Sequence, residues 1–199
     1  YAQNPYTIVF LHKKADAEKI SDDDRKKIMD GHMANINRLA EEGKLVAAGP
    51  FDGGGGLFVM KTSSVAEAQS WVDTDPGVKA KRWNVEILPF TPRQGGICKV
   101  SEPYEMTSYS FVRFNVVVSK FNATDFPQIV KKHDDYLKEL GKTGNIIGEG
   151  IFSERDGGIV IMKGDVQKEV FENDPGVKEG LVEMEIKKLY IAKGSFCEK

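Results

Sequence analysis

Five consecutive residues recur unchanged in this chain. Asp75-Pro76-Gly77-Val78-Lys79 returns as Asp174-Pro175-Gly176-Val177-Lys178, at an offset of 99. The same offset carries Glu86-Ile87 onto Glu185-Ile186. Upstream the offset is 101, which places His32 on His133, Gly43 on Gly144, Gly49 on Gly150 and Phe51 on Phe152. A small change of offset is what a length change in a connecting loop produces. The 199 residues therefore read as two copies of one unit. Two copies are too few for a solenoid and point instead to a two-fold pseudo-dimer within one chain.

Each copy has the same order of elements. Tyr6 to Lys13 is an apolar, β-branched run that reads as a strand. Ser21-Asp22-Asp23-Asp24 offers an N-cap and first-turn acids for a helix reaching about Glu42, with Ile28, His32, Ile36 and Leu39 on one face. Gly43 stops that helix. Strands are expected at Lys44 to Ala48 and Leu57 to Lys61, separated by a glycine-rich connection from Phe51 to Gly56. A short helix from Ser63 or Ser64 to Trp71 follows, then the Asp-Pro-Gly turn and a last strand from Lys81 to Phe90. In the second copy the strands fall at about Tyr109 to Ser119, Asn145 to Ile151, Ile159 to Lys163 and Val182 to Ala192. Its helices fall at about Thr124 to Lys142 and Val166 to Glu172.

The order βαββαβ is that of a ferredoxin-like unit. One such sheet carries its helices on one face and leaves the other needing cover. Two sheets closing on each other meet that need, so the expected class is α+β, an intrachain dimeric α+β barrel. Residues 1–94 form the first repeat, 95–107 a linker and 108–199 the second repeat. Turn-forming Pro92, Gly95, Gly96 and Pro103 punctuate the stretch from about Thr91 to Thr107.

Composition narrows the partners. Hydrophobic residues make up 40% and charged residues 29% of the chain, and the net charge is −2. Lysines lie among acids, as in Lys131-Lys132-His133-Asp134-Asp135, with no basic stripe for nucleic acid. No run approaches the ~18 apolar residues of a membrane span. The start at Tyr1-Ala2-Gln3 reads either as the remnant of signal-peptide cleavage or as an arbitrary boundary. Cys98 and Cys197 occupy equivalent places, each 23 residues after the Asp of Asp-Pro-Gly-Val. As symmetry mates they would meet near the two-fold axis as a disulfide, which favours a periplasmic or secreted protein. The alternative is two free thiols in the cytoplasm.

The first copy resembles the YciI-like (YCII-related) family. The residues that carry the likeness are His32 on the first helix, Glu42-Gly43-Lys44-Leu45, Ala48-Gly49-Pro50 and Asp73-Thr74-Asp75-Pro76. The resemblance implies a ferredoxin-like fold, dimeric α+β barrel assembly and an active site centred on a His and an Asp. Carried over, these are His32 with Asp75 and His133 with Asp174, with Gly49, Pro50 and Asp52 at the ligand. Related barrels include enzymes that isomerise or dehalogenate small cyclic carbonyl compounds. The second copy departs from the pattern: Ile151 replaces Pro50, Ser153 replaces Asp52, and its loop carries Glu154-Arg155-Asp156.

A His beside a carboxylate suits proton transfer. The carboxylate holds one imidazole nitrogen and leaves the other to take or give a proton near neutral pH. No Ser or Cys nucleophile accompanies the pair in any motif, so acyl-enzyme chemistry ranks lower. Asp75 and Asp174 also have a plain structural role, because Asp before Pro is the expected N-cap and first helical residue. Asp52 can reach a pocket or lie solvated in its loop. Gly53-Gly54-Gly55-Gly56 lacks the Lys-Ser/Thr of a phosphate loop and precedes a strand. Trp71, Trp83, Phe58, Phe90, Phe111 and Phe114 read as packing, and His12 as a surface residue ending a strand. Three scattered His and two remote Cys give no metal spacing, and no cofactor is expected.

Two functional readings follow. One is a small-molecule enzyme with His32 as general acid/base and Asp75 orienting it, acting next to a carbonyl as an isomerase, lyase or dehalogenase. The other is a non-catalytic ligand-binding or structural barrel module. The partner is an unknown small molecule, and further self-association of the pseudo-dimer stays open.

Overall fold

The alternation of side chains along a strand assigns its two faces. In β1 (Tyr6–Lys13), Ile8 and Phe10 join one core while Val9 and Leu11 join another, so the strand is covered on both sides. The computed structural model describes residues 6–117, 119, 124–153 and 156–198. Glu154 and Arg155 of the second loop, and the start at Tyr1, lie outside the described residues, as does part of the strand end expected near Ser119.

The first half continues with α1 (Asp22–Glu41), β2 (Leu45–Pro50), β3 (Gly56–Met60), α2 (Val65–Val72), α3 (Pro76–Lys79) and β4 (Trp83–Gln94). Ser21 caps α1 by accepting the Asp24 N–H at 3.1 Å, and Ser64 caps α2 by accepting the Glu67 N–H at 3.2 Å. Gly43 follows the end of α1 at φ 71°, in the left-handed region. The second half repeats the order as β5 (Met106–Val116), α4 (Phe126–Gly141), β6 (Ile146–Ser153), β7 (Gly157–Met162), α5 (Lys168–Glu172), α6 (Pro175–Lys178) and β8 (Val182–Ala192).

The strands form one antiparallel sheet in the order β2-β3-β1-β4-β6-β7-β5-β8. Each half supplies a ferredoxin-like block of four. One seam pairs β4 with β6 through Thr91↔Ile151, Pro92↔Gly150 and Gln94↔Glu149. At the other, Phe51 bridges Leu189, and the Asp52 N–H donates to the Lys188 carbonyl at 3.0 Å. The sheet thus closes on itself, through a short ladder at one seam and an isolated bridge just beyond β2 at the other. Ile8, Phe10, Phe51, Phe111, Phe152 and Leu189 belong to the shared interior, to which both halves contribute. Separate outer cores lie between each half's sheet and its helices.

Two boundaries differ from the sequence reading. Thr91 to Gln94, beyond the strand end expected at Phe90, is strand, because β6 of the other half pairs with it. β5 starts at Met106 rather than Tyr109, because Met106↔Ala192 and Thr107↔Ile191 extend its ladder with β8.

Candidate functional site

Asp75 is fully buried at the N-cap of α3 and uses its two oxygens separately. Oδ1 accepts the N–H groups of Gly77 at 2.8 Å and Val78 at 3.2 Å. Oδ2 lies 2.7 Å from His32 Nδ1 and accepts from Asn35 Nδ2 at 3.3 Å. His32 and Asn35 are adjacent on α1 because residues three apart share a helix face. Asn35 is itself fixed, since its Oδ1 accepts from Arg38 Nη2 at 2.8 Å and Thr74 Oγ1 at 2.9 Å. The cap and the His partnership are therefore one arrangement, which also fastens α3 to α1.

Burial alone would raise the Asp75 carboxyl, but the hydrogen bond and charge of His32, then the Val78 and Gly77 N–H groups, outweigh it. The carboxyl stays below its ordinary range and remains an acceptor. His32 Nδ1 is therefore the donor, and in the neutral ring Nε2 carries the free lone pair. No side chain among the described residues holds Nε2. The ring sits between Phe58, 5.8 Å away by centroids, and Trp83 at 4.8 Å.

His32 lines a cleft of about 1010 Å³ between α1, β2 and the linker from Lys99 to Met106. Gly49 and Pro50 line it too; Asp52 does not. The Asp52 carboxylate instead accepts the Lys188 N–H at 2.7 Å across the second seam, which corrects its expected place at the ligand. Gly49 also serves that seam: a Cβ there would meet the Tyr190 carbonyl oxygen at 2.3 Å. Among the described residues no group of three or more His, Cys, Asp or Glu is placed to hold a metal ion. No helix among them is long and apolar enough to cross a membrane.

The YCII-related domain model matches residues 6–91, which contain both His32 and Asp75. The chain is 31% identical over 96 residues to the protein YciI of Escherichia coli O6:H1 (strain CFT073), spanning 42% of this chain and 93% of that one. YciI of Shigella flexneri matches to the same extent. The chain belongs to the YCII-related family. Solved structures are similar to this YCII-related protein over its whole length. A candidate chlorite dismutase has a TM-score of 0.55 at 7% identity, covering 96% of this chain and 95% of that one. A candidate monooxygenase of Fusobacterium nucleatum has a TM-score of 0.50 at 8% identity, covering 97% and 94%. The likeness is of fold, that of a dimeric α+β barrel.

The second half of this YCII-related chain keeps the pair but not its setting. His133 Nδ1 lies 2.7 Å from Asp174 Oδ2, and Asp174 Oδ1 accepts the Gly176 N–H at 2.7 Å. Tyr136 stands where Asn35 does, and its hydroxyl donates to the Val170 carbonyl. Val182 replaces Trp83. Cys98 and Cys197 are joined as a disulfide with Cα atoms 5.2 Å apart, tying the linker to the C-terminal segment.

Sequence reading missed several of these residues. Asn35 carried a usable signal, three residues after His32 on the same face. Trp83 read as packing, and it does pack, but against the imidazole. His12 read as a surface residue; it is half-buried and its Nε2 lies 2.7 Å from Glu86 Oε2. Glu86 also takes both terminal nitrogens of buried Arg113, from the other half. That contact spans the barrel, and no local pattern announces it.

Proposed function

We propose that the first half is an acid–base enzyme site, with His32 taking and returning a proton and Asp75 positioning it. The supporting observation is a His that lines the large cleft while its Nδ1 is fixed on a buried, ionised carboxylate. Such a pair transfers protons at the Nε2 face, and a positioned general base contributes about 10²–10⁴ in rate. The reading is proton abstraction or elimination beside a carbonyl in a small molecule, of isomerase, lyase or dehalogenase type. Asn35 and Thr74 keep Asp75 in register, and Phe58 and Trp83 limit rotation of the ring. In the second half the same pair, His133 on α4 and Asp174 at the cap of α6, also docks α6 on α4.

Two measurements test this. Nitrogen NMR of the His32 ring is expected to show the Nδ1–H tautomer in the native protein and a loss of that preference in Asp75→Asn. In heavy water, a panel of cyclic and open-chain keto acids is expected to exchange α-hydrogens with the native protein and not with His32→Gln. An Nε2–H tautomer in the native protein rejects the positioning role. Exchange undiminished in His32→Gln rejects the acid–base role.

A further inference from the structure

We infer that the cleft selects an organic anion with an extended apolar body, bound with its charged end at Lys13 and Arg82. The inference rests on the reading of His32 as the group that meets the substrate, and it names the substrate's class. Three observations converge on it. The first is exposed apolar surface. Six large hydrophobic side chains stand exposed among the described residues, and four of them, Met29, Met33, Tyr104 and Met106, line this one cleft. Apolar side chains gathered in a concavity mark a binding site more than the same residues scattered singly.

The second observation is charge. Lys13 and Arg82 line the cleft, and neither has a carboxylate partner among the described residues. Arg82 Nη1 donates only to the Glu18 carbonyl, at 2.6 Å. Of the other lining cations, Lys14 lies 3.8 Å from Asp16, Arg25 lies 3.4 Å from Asp22, and Lys99 Nζ donates to the Ala40 carbonyl at 3.1 Å, at the far end of α1. Lys13 pairs in register with Trp83, the residue after Arg82, and the Trp83 ring is 4.8 Å from that of His32. Lys13 and Arg82 therefore flank Trp83, the residue whose ring packs on the acid–base group. The lining acids, Glu41 and Glu102, come from the last turn of α1 and from the linker.

The third is the contrast between halves. The β5–β8 ladder places Val116 opposite Val182, as β1–β4 places Lys13 opposite Trp83. Likewise Val117 N–H donates to the Leu181 carbonyl as Lys14 N–H does to that of Arg82. Val116 and Leu181 thus occupy the positions of Lys13 and Arg82. The cationic pair belongs to the first half, which carries the cleft lined by His32.

The test uses two fluorescent probes that differ by one charged group, anilinonaphthalene sulfonate and phenylnaphthylamine. In a Trp71→Phe protein, Trp83 is the sole tryptophan, and energy transfer from it reports a probe seated in the cleft. The sulfonate is expected to bind at least about tenfold tighter than the neutral probe, the worth of one or two charge-assisted contacts. Lys13→Gln with Arg82→Gln is expected to remove that advantage and leave the neutral probe unchanged. Equal affinities in the native protein overturn the selection for an anion. Absence of energy transfer from Trp83 with either probe overturns the cleft as the site. The His32 tautomer is read without any probe, so failure here and failure of the acid–base reading appear in different experiments.

Discussion

Gly77 stands inside the repeated five-residue motif, yet the two copies need their glycine for different reasons. A Cβ on Gly77 would lie 1.9 Å from Trp83 Cζ3 and 2.4 Å from its Cη2. A Cβ on Gly176 would meet Asp174 Oδ1 and Val182 Cγ2, both at 3.1 Å. The first is an overlap with a ring that packs against His32; the second is a tight contact with a small side chain and the capping carboxylate. Gly77→Ala is therefore expected to cost about 1–3 kcal/mol, the range for overpacking a filled site. It should also shift the Trp83 emission as the ring leaves the imidazole. Gly176→Ala should cost less. Urea denaturation of the two variants side by side checks this, and equal losses would mean that Trp83 is not what demands glycine. Sequence reading found the motif and allowed its Asp both a turn and a His. Asp75 does both because a carboxylate has two oxygens, and nothing in the local sequence says which neighbour the second one meets.

Elements were legible where their causes are local. Ser21 and Ser64 cap helices where they stand, and Gly43 stops one, because these effects act over a few residues. The seams were not legible, because each strand's partner lies in the other half. Thr91 to Gln94 contains Pro92 and leads into Gly95, so it reads as a turn, yet it pairs with β6 around a register shift. Gly49 and Gly150 recur for this reason. A Cβ on Gly49 would strike the Tyr190 carbonyl oxygen, and one on Gly150 would strike Phe90 and the Thr91 carbonyl oxygen. Strand-to-strand contact across the barrel also explains Glu86. It points inward from β4 and meets Arg113 of β5 at 2.8 and 2.7 Å, with the Arg113 guanidinium 4.3 Å from the centroid of Phe10. The hydrogen bonds of Arg113, then of His12, hold the Glu86 carboxyl at about 2 against an ordinary 4.5, despite desolvation. Because the folded value lies below the ordinary one, this acid adds stability that is complete above about pH 4.5 and is lost as pH falls toward about 2. Denaturation measured across that window is expected to fall less steeply in Glu86→Gln than in the native protein. Parallel acid limbs would show that the cross-barrel pair carries none of the acid sensitivity.

Over the whole molecule, closure of the barrel and covalent linkage are separate devices. Both seams are made by backbone pairing, a ladder at one and the Phe51–Leu189 bridge at the other, so the barrel needs no covalent bond to close. The disulfide acts elsewhere: Cys98 lies in the linker, its N–H donating to the Ser195 carbonyl at 2.9 Å, and Cys197 lies beyond β8. The bond spans 99 residues, so its effect falls mainly on the unfolded chain, whose ends it keeps together. In the chain-entropy model a loop of that length contributes about 4–5 kcal/mol. The double variant Cys98→Ser with Cys197→Ser is expected to keep its far-ultraviolet spectrum and lose stability of that order in denaturant. The linker from Lys99 to Met106 forms one wall of the cleft, and Lys99 Nζ donates to the Ala40 carbonyl at 3.1 Å, so one end of this strap is pinned to α1. Loss of the neighbouring bond should therefore speed proteolysis within Lys99 to Met106 more than anywhere in the sheet. Unchanged stability in the variant, with native material that alkylates at two thiols, would show that the cysteines stand reduced and that the seams alone hold the halves together. A drop in stability without faster cleavage of the strap would place the whole effect in the unfolded chain and leave the cleft wall independent of the bond.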